Sequence, residues 1–78
     1  MAVSPTALAA VRNTHLSPRE REILGLLGEG RLYKEIAQIL RISTGTVRTH
    51  ISHIYAKLHA RNRMEAVRRG ESLRLGRP

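Results

Sequence analysis

Residues 33–58 read YKEIAQILRISTGTVRTHISHIYAKL, and the fold turns on this stretch. Two helical patterns flank a short break. In the first, from about Tyr33 to Leu40, the residues Ile36, Ala37 and Leu40 share one face, and Ala37 is small where a second helix must come close. In the second, Val47, Ile51, Ile54 and Leu58 recur at i, i+4, i+7 and i+11, an apolar stripe at the helical period. Ser43 is placed to cap this helix, which is expected to run to Leu58 or His59. The break is Arg41-Ile42-Ser43, with Ile42 positioned to plug the space between the helices. Two helices joined by so short a link form a helix-turn-helix.

Working outward, a capping box opens an earlier helix at Ser17-Pro18-Arg19-Glu20. The Ser17 hydroxyl can accept from the Glu20 backbone N–H while the Glu20 carboxylate reaches back, and proline is tolerated at the first helical position. Ile23, Leu24 and Leu27 line its inner face, Leu16 precedes the cap as a staple, and Gly28 and Gly30 end it. On the C-terminal side a short helix is expected from the N-cap Asn62 to about Arg69, closed by Gly70, with Glu65 and Arg69 as an i,i+4 ion pair. No segment alternates like a strand, and no Asn-Gly or Asp-Gly turn occurs. The expected fold is all-α, a four-helix helix-turn-helix domain over about 15–70. Residues 1–14 read as a linker or flexible arm, and 71–78 as a tail.

Charge narrows the class of partner. Fourteen Lys and Arg against six acidic residues give a formal net charge of +8. Twelve of the cations are arginine, whose planar fork of donors suits phosphates and guanine edges. A polyanion is implied: nucleic acid, or an anionic membrane surface. Cysteine is absent, which removes disulfides and thiolate metal sites and fits a reducing cytoplasm. No apolar run approaches the length a bilayer needs, and the first residues lack the pattern of a secretory signal.

In a helix-turn-helix the second helix lies in the major groove of double-stranded DNA, and the helix before it crosses the backbone. On a helical wheel the face of residues 44–58 opposite the apolar stripe carries Thr49, Ser52 and Ala56, flanked by Arg48 and His53. This face is small, polar and free of acid, which lets a helix sink into a groove without repelling phosphates. No acid occurs between Glu35 and Glu65, an interval that holds Arg41, Arg48, Lys57, Arg61 and Arg63. Arg48 is long enough for a guanine edge or a phosphate. Thr44, Thr46 and Thr49 can bond phosphates, although Thr44 and Thr46 equally suit support of the helix start. Lys34, near the start of the preceding helix, is a phosphate contact; Ser52 and His53 sit where they touch DNA deeper in the groove. Tyr55 flanks the core and is expected to be partly buried.

Leu16 to Val67 resembles the LuxR/NarL-type (GerE-like) helix-turn-helix domain. The resemblance is carried by Leu16-Ser17-Pro18-Arg19-Glu20-Arg21-Glu22-Ile23-Leu24, Gly30, Lys34-Glu35-Ile36-Ala37, Leu40, Ile42-Ser43, Thr46-Val47-Arg48, His50, Ile54, Lys57-Leu58 and Arg63-Met64-Glu65-Ala66-Val67. It implies a third helix that reads the major groove and a fourth that pairs two copies on DNA. Such domains sit at the C-terminus of response regulators or quorum-sensing receptors, and RNA polymerase is a further partner. Met64 and Val67, at i,i+3, are the expected dimer contact, or else they cap the core. The sequence departs from the family pattern at Leu32-Tyr33, where a Ser or Thr followed by Asn is usual. The polar N-cap of the second helix is thereby lost, and Tyr33 is left to meet a phosphate or pack on the backbone. Sigma-factor region 4 shares the first half, including Gly45-Thr46-Val47, but the stretch from His50 to Val67 follows LuxR/NarL.

Other functions find little support. His50, His53 and His59 have no carboxylate or thiol placed with them for a metal, and His50 leans toward the core. No nucleophile is paired with a base and an orienting acid, and no glycine-rich phosphate loop follows a strand, so neither catalysis nor a cofactor is expected. A basic module on protein or membrane surfaces is the alternative class. The third helix argues against it, because its apolar face is needed for the core.

Overall fold

The computed structural model describes residues 16–75. The arm expected over 1–14 and the end of the tail lie outside them. Four α-helices follow in order: α1 Pro18–Gly28, α2 Tyr33–Leu40, α3 Thr44–Leu58 and α4 Arg63–Leu75. There is no strand among the described residues, and the fold is the all-α one expected.

The local rules act where the sequence places them. Ser17 caps α1: its hydroxyl accepts from the Glu20 N–H at 3.1 Å, and the Ser17 N–H donates to Glu20 Oε1 at 2.8 Å. Helix α1 ends at Gly28, and Gly30 takes φ +82°, a left-handed conformation that costs glycine nothing. The link between α2 and α3 is Arg41-Ile42-Ser43, as read. Arg41 closes α2 in the left-handed region at φ 58°, and the Ile42 N–H donates back to the Ala37 carbonyl at 3.0 Å. Ser43 caps α3, accepting from the Thr46 N–H at 3.0 Å.

Helix α3 is the axis of the domain and packs against α1, α2 and α4. Its stripe of Val47, Ile51, Ile54 and Leu58 is buried, together with Leu16, Ile23, Leu27, Ile36, Ala37 and Ala66. Burying this apolar surface provides the main drive to fold.

Two expectations about α4 are corrected. The helix does not close at Gly70 but continues to Leu75, through the start of the expected tail. Gly70 is a point of close approach: a Cβ there would run into the Leu24 side chain of α1. The glycine serves packing between helices rather than termination. Nor does Arg69 form its hydrogen bonds with Glu65. Its Nη1 donates to the Leu58 and His59 carbonyls at 3.0 and 2.6 Å, satisfying acceptors at the end of α3. Glu65 instead accepts from the Arg61 N–H at 2.8 Å. That bond, opposed by slight desolvation and helped by the charges of Arg61, Arg69 and Arg68, lowers the Glu65 carboxyl below its ordinary range. Asn62 accepts from the Glu65 N–H at 2.9 Å, as an N-cap should.

Candidate nucleic-acid interface

With its stripe buried, α3 turns outward Gly45, Arg48, Thr49, Ser52, His53 and Ala56, all exposed. Arg48, Ser52 and His53 make no hydrogen bond or ion pair within the described residues, so their polar atoms face solvent. The Thr49 hydroxyl donates to the Gly45 carbonyl at 3.1 Å, which leaves its oxygen lone pairs to accept from outside. Thr46 is tied into the helix start, its hydroxyl 2.8 Å from that of Ser43. Thr44, half-buried, occupies the first position of α3. Lys34 is exposed one residue into α2 and is likewise without a partner among the described residues.

The acid-free interval carries fewer outward cations than its composition suggests. Lys57 donates to Glu20 Oε1 at 2.7 Å, joining α3 to α1, and Arg63 donates to two backbone carbonyls. By composition both add to a polyanion-binding face; in the fold both are engaged in holding helices together. No local pattern signals these bonds, which span 37, 36 and 32 residues. Glu20 is only 4% exposed. Burial pushes its carboxyl pKa up, but the bond from Lys57, those from Ser17 and the Lys57 charge outweigh it and leave it below its ordinary 4.5.

At Leu32-Tyr33 the structure answers the lost cap. The Leu32 side chain accepts nothing, but the Leu32 N–H donates to Glu35 Oε1 at 2.8 Å, half of a capping box. Tyr33 packs half-buried against the core beside Tyr55. Burial, and then the neighbouring Tyr33 hydroxyl, raise the Tyr55 pKa, with the Arg63 charge acting in the opposite sense.

On α4, Met64 and Val67 part company. Met64 is 69% exposed, whereas Val67 is half-buried and packs against the core by Gly28. Between them runs a shallow groove that Leu27, Gly30 and Arg68 also line. Among the described residues no helix is long and apolar enough to cross a membrane.

Known proteins are similar to this chain in sequence. Residues 14–69 match the family described as bacterial regulatory proteins, luxR family. The transcriptional regulatory protein DesR of Bacillus subtilis is 50% identical over 56 residues, which cover 72% of this chain and 28% of DesR. The transcriptional activator protein CarR of Pectobacterium carotovorum is 45% identical over 64 residues, 82% of this chain and 26% of CarR. The HTH-type transcriptional regulator MalT of Vibrio campbellii is 39% identical over 69 residues, 88% of this chain and 8% of MalT. The chain spans about a quarter of the length of DesR and CarR and far less of MalT. No match was found among solved structures. The family is one of transcription regulators rather than enzymes. Register, fold and relatives agree: the chain belongs to the luxR family of bacterial regulatory proteins, as a DNA-binding helix-turn-helix domain.

Proposed function

We propose that this domain reads specific double-stranded DNA by laying α3 in the major groove, as the output module of a cytoplasmic regulator of the response-regulator or quorum-sensing type. The observation that carries the reading is the outer face of α3: small, exposed, acid-free and edged by an Arg48 without a partner among the described residues. Arg48 contacts a base edge, and Thr49, Ser52 and His53 line the groove beside it. Lys34, Thr44 and Thr46 face phosphates where α2 and the start of α3 meet the backbone. Two copies pair through α4, with Met64 as the exposed contact and Val67 at its base, and so address two half-sites about one helical turn apart. Relatives named as transcriptional activators support RNA polymerase as a further partner.

Arg48→Ala is expected to cost about 1–3 kcal/mol of specific binding and to relax base preference. The check is an in vitro selection of duplexes with wild type, followed by titration of the selected and random duplexes with both proteins. Binding of both the selected and the random duplexes by the variant as tightly as by wild type would remove α3 from the groove. Lys34→Ala should weaken all duplexes alike and flatten the dependence of log K on log salt by about one unit, since one phosphate contact releases about one counterion. An unchanged slope would take Lys34 off the phosphates.

A further inference from the structure

The start of α2 lacks a polar cap, yet it is tied down from a distance. Arg63, the first residue of α4, donates Nε and Nη2 to the Leu27 carbonyl at 3.2 and 2.9 Å, and Nη2 also to the Arg31 carbonyl at 2.6 Å. One guanidinium thus clasps the last turn of α1 and the peptide just ahead of Leu32. Near it Tyr33 and Tyr55 pack half-buried against the core, with the Arg63 charge acting on Tyr55. Three helices meet in this knot: α2 through Tyr33, α3 through Tyr55 and α4 through Arg63. Lys34 directly follows Tyr33, and Met64 directly follows Arg63.

We infer that Arg63 is a positioning residue for DNA binding: it fixes the entry of α2 so that Lys34 stands against a phosphate, and it joins that contact to the helix bearing Met64. The inference rests on the reading of Lys34 given above. A planar fork holds two carbonyls in set directions, whereas a lysine ammonium is a point charge on a flexible stem. Without the fork, the segment from Glu29 to Leu32 keeps its Gly30 turn and the Glu35 bond but loses its hydrogen bond to α4. Lys34 remains cationic, but holding it at a phosphate then carries the entropy cost of ordering its own base.

The test is the salt dependence of binding to a random-sequence duplex, measured on the 78-residue chain as wild type, Lys34→Ala, Arg63→Lys, Arg63→Gln and the double variant Lys34→Ala/Arg63→Lys. Lys34→Ala should flatten the slope by about one unit. Arg63→Lys should flatten it by a similar amount although the charge is kept, and the double variant should flatten it no further. The folded fraction of each variant is measured at every salt concentration by circular dichroism and divided out, so that lost stability, which salt relieves in a chain of net charge +8, does not imitate the effect. Should Arg63→Lys fold too poorly to titrate, Arg63→Gln, which retains an N–H donor but not the charge, and its double variant with Lys34→Ala take its place, and the absence of further flattening in the double variant is then the deciding result. A wild-type slope in the Arg63 variants, or additive flattening in the double variant, overturns the role of Arg63 and leaves Lys34 in place. An unchanged slope in Lys34→Ala overturns the Lys34 reading and this inference with it.

Discussion

Ile54→Ala is expected to cost about 2–5 kcal/mol of folding stability, because it opens a cavity where the helices converge. Ile54 is 0% exposed and sits midway along the stripe of α3, the helix that packs against all three others. A domain of this size holds only about 0.05–0.15 kcal/mol per residue, so the substitution removes a large part of the total. Urea or thermal unfolding followed by circular dichroism measures it, with Ile39→Ala as the control. Ile39 is 49% exposed, and its truncation should be nearly neutral. Equal losses in the two variants would mean that α3 does not bury the face described here. DNA binding by Ile54→Ala should fall with the folded fraction and recover on cooling to temperatures where the variant folds.

Lys57→Met carries the second large effect, about 2–3 kcal/mol at neutral pH. Breaking a buried ion pair leaves an uncompensated charge, typically at about 3–5 kcal/mol. The figure is discounted here because the Lys57 side chain is 38% exposed, although that of Glu20 is only 6%. The effect has a pH signature. The folded-state pKa of Glu20 lies below its ordinary 4.5, so the folded state binds its proton less readily than the unfolded chain does. The stabilisation is therefore fully present above about 4.5 and is lost as pH falls through the folded value. In Lys57→Met the buried carboxylate has lost its cation, and protonation relieves it. The gap between wild type and variant should be widest near neutral pH and narrow as pH falls below the ordinary carboxylate value of 4.5 in thermal melts. A gap constant across that range would show that Glu20 and Lys57 are not coupled.

These two substitutions mark different depths of legibility. Ile54 belongs to a pattern confined to one helix, and its burial follows from the helical period alone. The Glu20–Lys57 pair depends on how α1 and α3 are set against each other. The capping box supplied a complete local role for Glu20, and the acid-free interval supplied one for Lys57, so nothing in either neighbourhood pointed to the other. Arg69 went the same way: its i,i+4 spacing from Glu65 suggested a surface pair, but the carbonyls at the end of α3 were within reach and needed donors. Gly70 looked like a stop signal because glycine commonly ends helices; here it lets α4 run close against Leu24.

What the sequence by itself determined is whatever is written at helical spacing: four helices, the caps Ser17, Ser43 and Asn62, the three-residue turn and the face of α3 left over once its stripe is buried. These depend on interactions within a few residues, and the backbone obeys them wherever the helix is placed. Only the tertiary structure decided which cations remain outward, how far α4 extends and what holds the uncapped start of α2. The first and last of these rest on groups more than thirty residues apart in the chain. A long side chain such as Lys57 or Arg63 goes to the nearest acceptor that folding has taken from water, and only the packed arrangement shows which acceptor that is.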